Sequence, residues 1–333
     1  MKRENLGDSN RDVVVVGAGI GGMAAAVLAA RAGMTVEVFE VAPEPGGLLA
    51  PVPFGGLPCD RGSHRVHPDA HPLLKELTED ADWAIKPRNG RLVFGGRLLP
   101  YPPTPTRFLR GLGFRASAQM ALGWLRRPGT FKRTLSWEKS RVDGREDRGF
   151  EAFVQARVGG PAYELFYRPY AVKVWGGDPA NLSQSVAKQR VSTSNPIPTL
   201  LGLSRQEFLY PIDGMGSLIE SLHTKAKQLG VRFHFSTKYV FEKSDQRPVL
   251  FSGHLADIVP HSGLQHRGLY LIYLELPARH VTDVDTWYAP ESDFWFGRVS
   301  QPARFSTKFE RDERTLLCIE IPEGDWGSDT DFL

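Results

Sequence analysis

Three glycines and one glutamate carry the first chemistry legible in this chain. Val13, Val14, Val15 and Val16 form a continuous β-branched run, and Gly-Ala-Gly-Ile-Gly-Gly follows at Gly17 to Gly22. Such a run is what a central parallel strand, buried on both faces, requires. Gly17 permits a tight turn, Gly19 lets the backbone approach a diphosphate, and Gly22 lets a helix lie close to the strand. Gly21 stands in the same loop. The helix that must follow runs from about Ile20 to Ala32, is rich in alanine, and is capped by Gly33. Its free N–H groups and positive dipole end suit a bridging diphosphate. Thr35 to Phe39 reads as the second strand and ends on Glu40, 23 residues after Gly17. A carboxylate there accepts hydrogen bonds from both ribose hydroxyls of an adenosine and repels a 2′-phosphate, which disfavours NADP. Strand, loop, helix and acid together are the context in which this motif binds the ADP half of a dinucleotide.

Further along, other residues could hold ligands or do chemistry. Gly46-Gly47 follows Glu40 closely, after two prolines, and would bring more backbone amides to the phosphate side; a plain turn is the alternative. The segment Pro58 to Leu77 is dense in polar groups, with Asp60, Arg61, Ser63, His64, Arg65 and His67. His64, His67 and His71 have neither a cysteine nor a second histidine pair to support them, so no metal is expected, and His67 and His71 read as solvated loop residues. Arg91 to Tyr101 reads as a hairpin turning at Gly95-Gly96. Thr106 to Arg127 reads as a helix with Phe108, Leu109, Leu112, Met120, Trp124 and Leu125 interleaved with arginines. That pattern predicts a core-facing helix, with a membrane surface as the alternative. Phe150–Val158 and Pro161–Val174 read as two helices parted by Gly159-Gly160. A helix is expected after Gly214 and Gly216, with Leu218, Ile219, Leu222, Ala226 and Leu229 on one face and Gly230 as its cap. VRFHF (231–235), KYVF (238–241), SGHLADIV (252–259) and LYLIYLEL (269–276) read as strands.

The glycine loop, the acid and the Gly46-Gly47 pair together resemble the flavoprotein superfamily of amine oxidases, protoporphyrinogen oxidases, phytoene desaturases and UDP-galactopyranose mutases. Members carry an arginine after the second glycine, where Leu48 stands here. The resemblance extends through the His64 segment, which runs beneath the flavin ring in bacterial members. It continues through Lys173-Val-Trp175-Gly, the Gly214-Met215-Gly216 element, Val240, and two strand-like stretches at 294–306 and 315–326. It implies FAD as cofactor, with Gly17, Gly19, Gly21, Gly22, Glu40, Gly46, Gly47, Gly214, Met215 and Val240 as its binding residues. It implies an α/β fold: a Rossmann-like, glutathione-reductase-like FAD-binding domain at 1–75 and 205–265, interleaved with an α+β substrate domain at 76–204 and 266–333. His64, Lys173 and Arg298 are the catalytic candidates, while Trp175, Arg168, Arg190 and Ser300 either face the ligand or serve packing and structure. The implied activity is hydride transfer from an organic substrate to flavin; a mutase-like non-redox flavoenzyme and a truncated, non-catalytic FAD-binding protein are the alternatives. The chain's end, Gly327 to Leu333, looks like a helix start cut short, so a C-terminal FAD-binding segment is expected to be missing.

Composition bounds the partners. With 41 basic and 38 acidic residues in 333, the balance of +3 is too small to argue for nucleic acid. Cys59 and Cys318 are the only cysteines, so a reducing, cytoplasmic setting is expected. No apolar run approaches the ~20 residues that span a bilayer. A small-molecule substrate is expected, and peripheral membrane contact remains open.

Overall fold

The structure is a computed structural model that describes residues 12–68, 70–101, 111–126, 149–190, 207–242, 244–259, 263, 266–310 and 313–324. Strand β1 (Asp12–Val16) sits inside a four-stranded parallel sheet. Helix α1 (Ile20–Arg31) returns the chain to β2 (Thr35–Phe39), which pairs with β1 from Asp12 opposite Thr35 to Val16 opposite Phe39. Val249–Phe251 flanks β1, and Arg232–His234 flanks β2. Val13, Val14 and Val15 are buried because the strand has neighbours on both edges and packing on its faces. Each contributes roughly 1.5–3 kcal/mol relative to an exposed position. Helix α1 packs against the Gly216–Gln228 helix, and Met23, Ala26, Val27, Leu222 and Ala226 fill one core with Val13, Val15, Val36 and Val38.

The second unit is a six-stranded sheet in the order Leu269–Leu276, Thr315–Pro322, Arg298–Ser300, Thr286–Tyr288, Gly90–Phe94, Arg97–Tyr101. Neighbours are antiparallel except Thr286–Tyr288 beside Gly90–Phe94. The hairpin turn at Gly95-Gly96 has φ of 57° and 68°, the left-handed pair that a two-residue turn needs. Helices Gly149–Val158, Arg168–Trp175 and Gln184–Arg190 share a separate core of Phe150, Phe153, Val154, Tyr163, Ala171 and Ala187. A two-stranded ribbon, Trp83–Pro87 with Glu207–Pro211, forms where the chain leaves and re-enters the helical region.

Several elements differ from expectation. KYVF is not a strand: Tyr239 packs on Phe39 and Phe241 and hydrogen-bonds Asp245, so ring packing, not a ladder, holds it. SGHLADIV is a turn and a short 3-10 helix at Leu255–Asp257; the strand beside β1 is the preceding Val249–Phe251. The helix expected from Thr106 is regular over Phe114–Leu125, after Gly113 at φ 86°. It fully buries no side chain, and Leu112 and Met120 only partly reach the Leu92–Leu99–Phe166 cluster, so the core-facing reading fails. Pro161–Val174 is interrupted by a π-helical turn at Tyr163–Tyr167. The expected helix start at Ser328, residues 102–110 and 127–148, and the Arg190 side chain lie outside the described residues.

Candidate functional site

The two glycine motifs, far apart in role on paper, form one backbone surface. The Gly17 N–H donates to the Phe39 carbonyl at 2.8 Å, fixing the turn to the end of β2. A Cβ at Gly22 would lie 1.9 Å from the Gly17 carbonyl oxygen, so only glycine lets α1 start this close to β1. The N–H groups of Ile20, Gly21 and Gly22 open the helix and have no intrahelical acceptor, and no acidic side chain occupies that first turn. Gly46 lies alongside: its N–H donates to the Ala18 carbonyl at 2.9 Å, and it bridges to Gly19. A Cβ on Gly47 would lie 3.0 Å from the Gly19 Cα.

Glu40 stands at the edge of this surface. Its Oε2 accepts from the Ala18 N–H at 2.7 Å and its Oε1 from the Ala42 N–H at 2.9 Å. A carboxylate has about four acceptor positions, so about two remain for a ribose diol. Free amides at the positive helix end, a surface that side chains would fill, and an oriented carboxylate fit the ADP half of a dinucleotide. Leu48, 74% exposed beside this surface, brings no charge to a phosphate. Val240 is 66% exposed in an irregular segment beyond Arg232–His234.

Gly214, Met215 and Gly216 approach the same region, since a Cβ on Gly216 would meet the Pro51 ring at 3.2 Å. The Met215 N–H, however, is already used. It donates to Asp60 Oδ1 at 2.9 Å, while the Tyr210 hydroxyl donates to Oδ2. Burial pushes the Asp60 pKa up, against the lowering effect of these two donors and the nearby His64. Met215 therefore serves this element through Asp60 and not through a free amide.

Asp60 opens a loop that is pinned repeatedly. The Ser63 N–H and hydroxyl each donate to Glu320 Oε1 at 2.8 Å. The Arg65 guanidinium lies between the Phe208 and Phe305 rings, 4.6 and 4.5 Å from their centroids, and pairs with Asp285 at 3.0 Å and with the Thr286 hydroxyl. Val66 exchanges backbone hydrogen bonds with Leu209. The half-buried His64 side chain has no hydrogen-bond partner among the described residues. His71 has a structural task instead: its Nδ1 accepts from the Leu73 N–H at the start of the Pro72–Leu77 helix. Among the described residues no group of three or more His, Cys, Asp or Glu could hold a metal ion.

Two catalytic candidates are committed elsewhere. Lys173, 5% exposed, spends its ammonium on backbone: it donates to the carbonyls of Ala289 at 2.7 Å, Phe296 at 3.3 Å, and Glu291. Burial lowers its pKa to about 8, against the opposing charges of Glu291 and Asp293. Trp175 packs in the helical core, edge-on to Phe150 at 5.8 Å. Arg298 is on the sheet but is paired, Nε to Glu320 Oε2 at 2.9 Å, and it is the same Glu320 that holds Ser63. Arg168 is exposed beside Glu164 at 3.9 Å, and Ser300 is buried.

Comparison with known proteins decides the family. The family model described as flavin containing amine oxidoreductase matches residues 20–240. The chain belongs to the flavin-containing amine oxidoreductases. Protoporphyrinogen oxidase 2 of Arabidopsis thaliana is 26% identical over 181 residues, 53% of this chain and 34% of that protein. Hydroxyneurosporene desaturase of Rhodobacter capsulatus is 54% identical over 54 residues, 16% of this chain and 11% of that protein. The matches thus span 34% and 11% of these curated relatives. Among solved structures, reduced UDP-galactopyranose mutase aligns with a TM-score of 0.72 at 18% identity, over 96% of this chain and 76% of that one. A protein described as a putative protoporphyrinogen oxidase from Exiguobacterium aligns with a TM-score of 0.70 at 16% identity, over 95% and 78%. These likenesses show the fold.

As a flavin-containing amine oxidoreductase the chain takes FAD, and the glycine surface with Glu40 fits its ADP half. None of the described helices is long and apolar enough to cross a membrane. Sequence reasoning missed the anchors Asp60, Arg65 and Glu320 as a set, although the density of polar residues from Asp60 to His67 was a signal.

Proposed function

We propose that the chain is an FAD-dependent oxidoreductase that removes a hydride from an organic small molecule. The observation that carries this reading is the joined surface of Gly17–Gly22, Gly46-Gly47 and Glu40, which suits an ADP moiety with free ribose hydroxyls. When bound, FAD supplies a hydride acceptor at flavin N5. The chain's own part is to bind, orient and exclude water. Gly17, Gly19, Gly21, Gly22, Gly46 and Gly47 hold the diphosphate side, Glu40 the ribose, and the exposed backbone of Val240 the adenine. The Asp60–Val66 loop, held by Tyr210, Glu320 and Asp285, is the rigid floor on the flavin side, and it leaves His64 free to face the ring. We divide the chain into an FAD-binding domain at 1–75 and 205–265 and a substrate domain at 76–204 and 266–333, a division supported by the parallel and the six-stranded sheets. The two buried cysteines, which form no disulfide, suit a reducing, cytoplasmic setting.

A mutase-like reading draws on the fold likeness and on the arginines. Those arginines lose much of their force, because Arg65 and Arg298 are each neutralised by a buried carboxylate, Asp285 and Glu320. An arginine that recognises a diphosphate needs a guanidinium not already spent on a carboxylate. Anaerobic addition of amine, cyclic and polyene substrates to the yellow holoprotein separates these readings. An oxidoreductase bleaches with one of them. A mutase turns over only after reduction with dithionite, and silence in both states refutes catalysis of either kind.

A further inference from the structure

The Leu269–Leu276 strand closes one end of the six-stranded sheet, with Thr315–Pro322 as its one strand neighbour among the described residues. Three observations fix which of its backbone groups that neighbour uses. The Gly268 carbonyl, one residue before the strand, accepts from the Glu323 N–H at 2.8 Å. Pro322, opposite Leu269, has no N–H to give. The Glu320 carbonyl, opposite Leu271, points the other way and accepts from the Gly297 N–H at 2.9 Å. Bonded and non-bonded pairs alternate along an antiparallel ladder. The backbone of Tyr270, Ile272 and Leu274 therefore faces Thr315–Pro322, and that of Leu269, Leu271, Tyr273 and Glu275 faces the open edge. The N–H and C=O groups of those four residues have no hydrogen-bond partner among the described residues.

The side chains do nothing to guard this edge. Soluble proteins blunt long edge strands with charges, proline or a bulge, because an open ladder invites another strand. This strand reads Leu-Tyr-Leu-Ile-Tyr-Leu-Glu-Leu, with one charge, no proline and unbroken pairing over all eight residues. Tyr270, Ile272 and Leu274 are exposed, and they share a sheet face with Ile321, Ile319 and Leu317 opposite them. An apolar row thus runs out to the open edge and stops there.

We infer that this edge pairs antiparallel with the same strand of a second copy of the chain, about a two-fold axis through Leu271, joining two sheets into one. Opposed residues must project to the same face, so the axis passes through a residue and not between two. Centred on Leu271, Leu269 stands opposite the partner's Tyr273 and Tyr270 opposite the partner's Ile272, so every outward-facing backbone group meets another. The charges select this register and this occupant. Arg267 falls opposite the partner's Glu275, once at each end of the pairing, on the same face. Centring on Ile272 or Tyr273 sets Glu275 against Leu269 or Leu271 instead. Arg267 is held for this by the Val172 carbonyl at 3.2 Å and by that of Glu323, while Glu275 also meets Arg314 of its own chain at 3.0 Å. A strand of another protein would satisfy the same backbone but would have to bring the matching arginine.

The test is sedimentation velocity of the purified full chain over a concentration series, with Leu271→Pro beside it. Proline is tolerated on an edge strand whose N–H faces outward, and here it removes the N–H at the two-fold axis. A dimer is expected for the wild-type chain and a monomer for Leu271→Pro. Cross-linking reads the register separately. Opposed bonded residues have Cα atoms about 5.5 Å apart, within disulfide reach. Under copper-phenanthroline oxidation, Leu271→Cys is expected to yield a covalent dimer and Leu269→Cys is not. A wild-type chain that stays monomeric, or a dimer that Leu271→Pro leaves intact, would overturn the pairing. Cross-linking through Leu269→Cys and not Leu271→Cys would overturn the register. If Leu271→Pro does not fold, the two cysteine variants decide alone, and absence of a covalent dimer in Leu271→Cys would refute the inference.

Discussion

The close start of α1 on the β1 turn makes Gly22→Ala the sharpest perturbation of the cofactor surface. The added Cβ would sit 1.9 Å from the Gly17 carbonyl oxygen, 3.0 Å from its carbon, and 3.3 Å from the Ser252 Cβ. Since an ordinary carbon–oxygen contact is above ~3 Å, the helix start must retreat by roughly 1 Å. Forced packing of this kind costs about 1–3 kcal/mol of stability. The same retreat carries the first-turn amides away from any bound diphosphate. Losing two hydrogen bonds to a charged group removes about 3–6 kcal/mol, a fall in FAD affinity of about 10²- to 10⁴-fold. Gly33→Ala is the control. Gly33 has φ 81° with nothing near its would-be Cβ, so that variant pays a backbone penalty of about 1 kcal/mol far from the ligand. Thermal melting and FAD titration by flavin fluorescence quenching are measured on both. Destabilisation in both with FAD affinity lost only in Gly22→Ala is expected. Wild-type FAD affinity in Gly22→Ala would refute the reasoning.

Three further outcomes follow from the site's anchors. Glu40→Gln can keep only one of the Ala18 and Ala42 N–H bonds and turns an NH₂ toward the other, so it should cost about 1–3 kcal/mol in melting experiments and weaken FAD about tenfold. For Asp60, burial raises the folded pKa above the 3.8 of an ordinary aspartate, so the native state holds its proton longer and stability falls as pH rises from 3.8 through the raised value. Asp60→Asn, which can still accept from Met215 and donate to Tyr210, should flatten that slope in melting curves, and an unchanged slope would contradict it. Removing one member of the buried Arg298–Glu320 pair, by Arg298→Met or Glu320→Gln, should cost about 3–5 kcal/mol in urea unfolding, with the double variant losing less than the sum.

The cofactor surface was legible because its geometry is local. Gly17, Gly19 and Gly22 must satisfy a turn, a close approach and a helix contact within six residues, and β1 advertises its burial through four valines. That Gly46-Gly47 adds amides to the phosphate side was readable from its place after Glu40, with a plain turn as the alternative; its pairing with Gly19 is a property of packing. Lys173 shows where local reading fails. Its position on a helix before Trp175-Gly176 says nothing of the three carbonyls, 116 to 123 residues later, that surround it. Asp60 and Tyr210 are likewise 150 residues apart, so their pairing is a property of packing and not of pattern. KYVF reads as a strand by composition, yet Tyr239 is fixed by ring contacts with Phe39 and Phe241, which a two-residue period cannot distinguish from a ladder.

The central claim is that Gly17–Gly22, Gly46-Gly47 and Glu40 hold FAD, and denaturing the purified chain tests it most directly. The account predicts a yellow protein that releases one FAD per chain into the supernatant, identified by chromatography, and an apoprotein that rebinds FAD in preference to NADP. A colourless protein that neither releases nor rebinds FAD would contradict it.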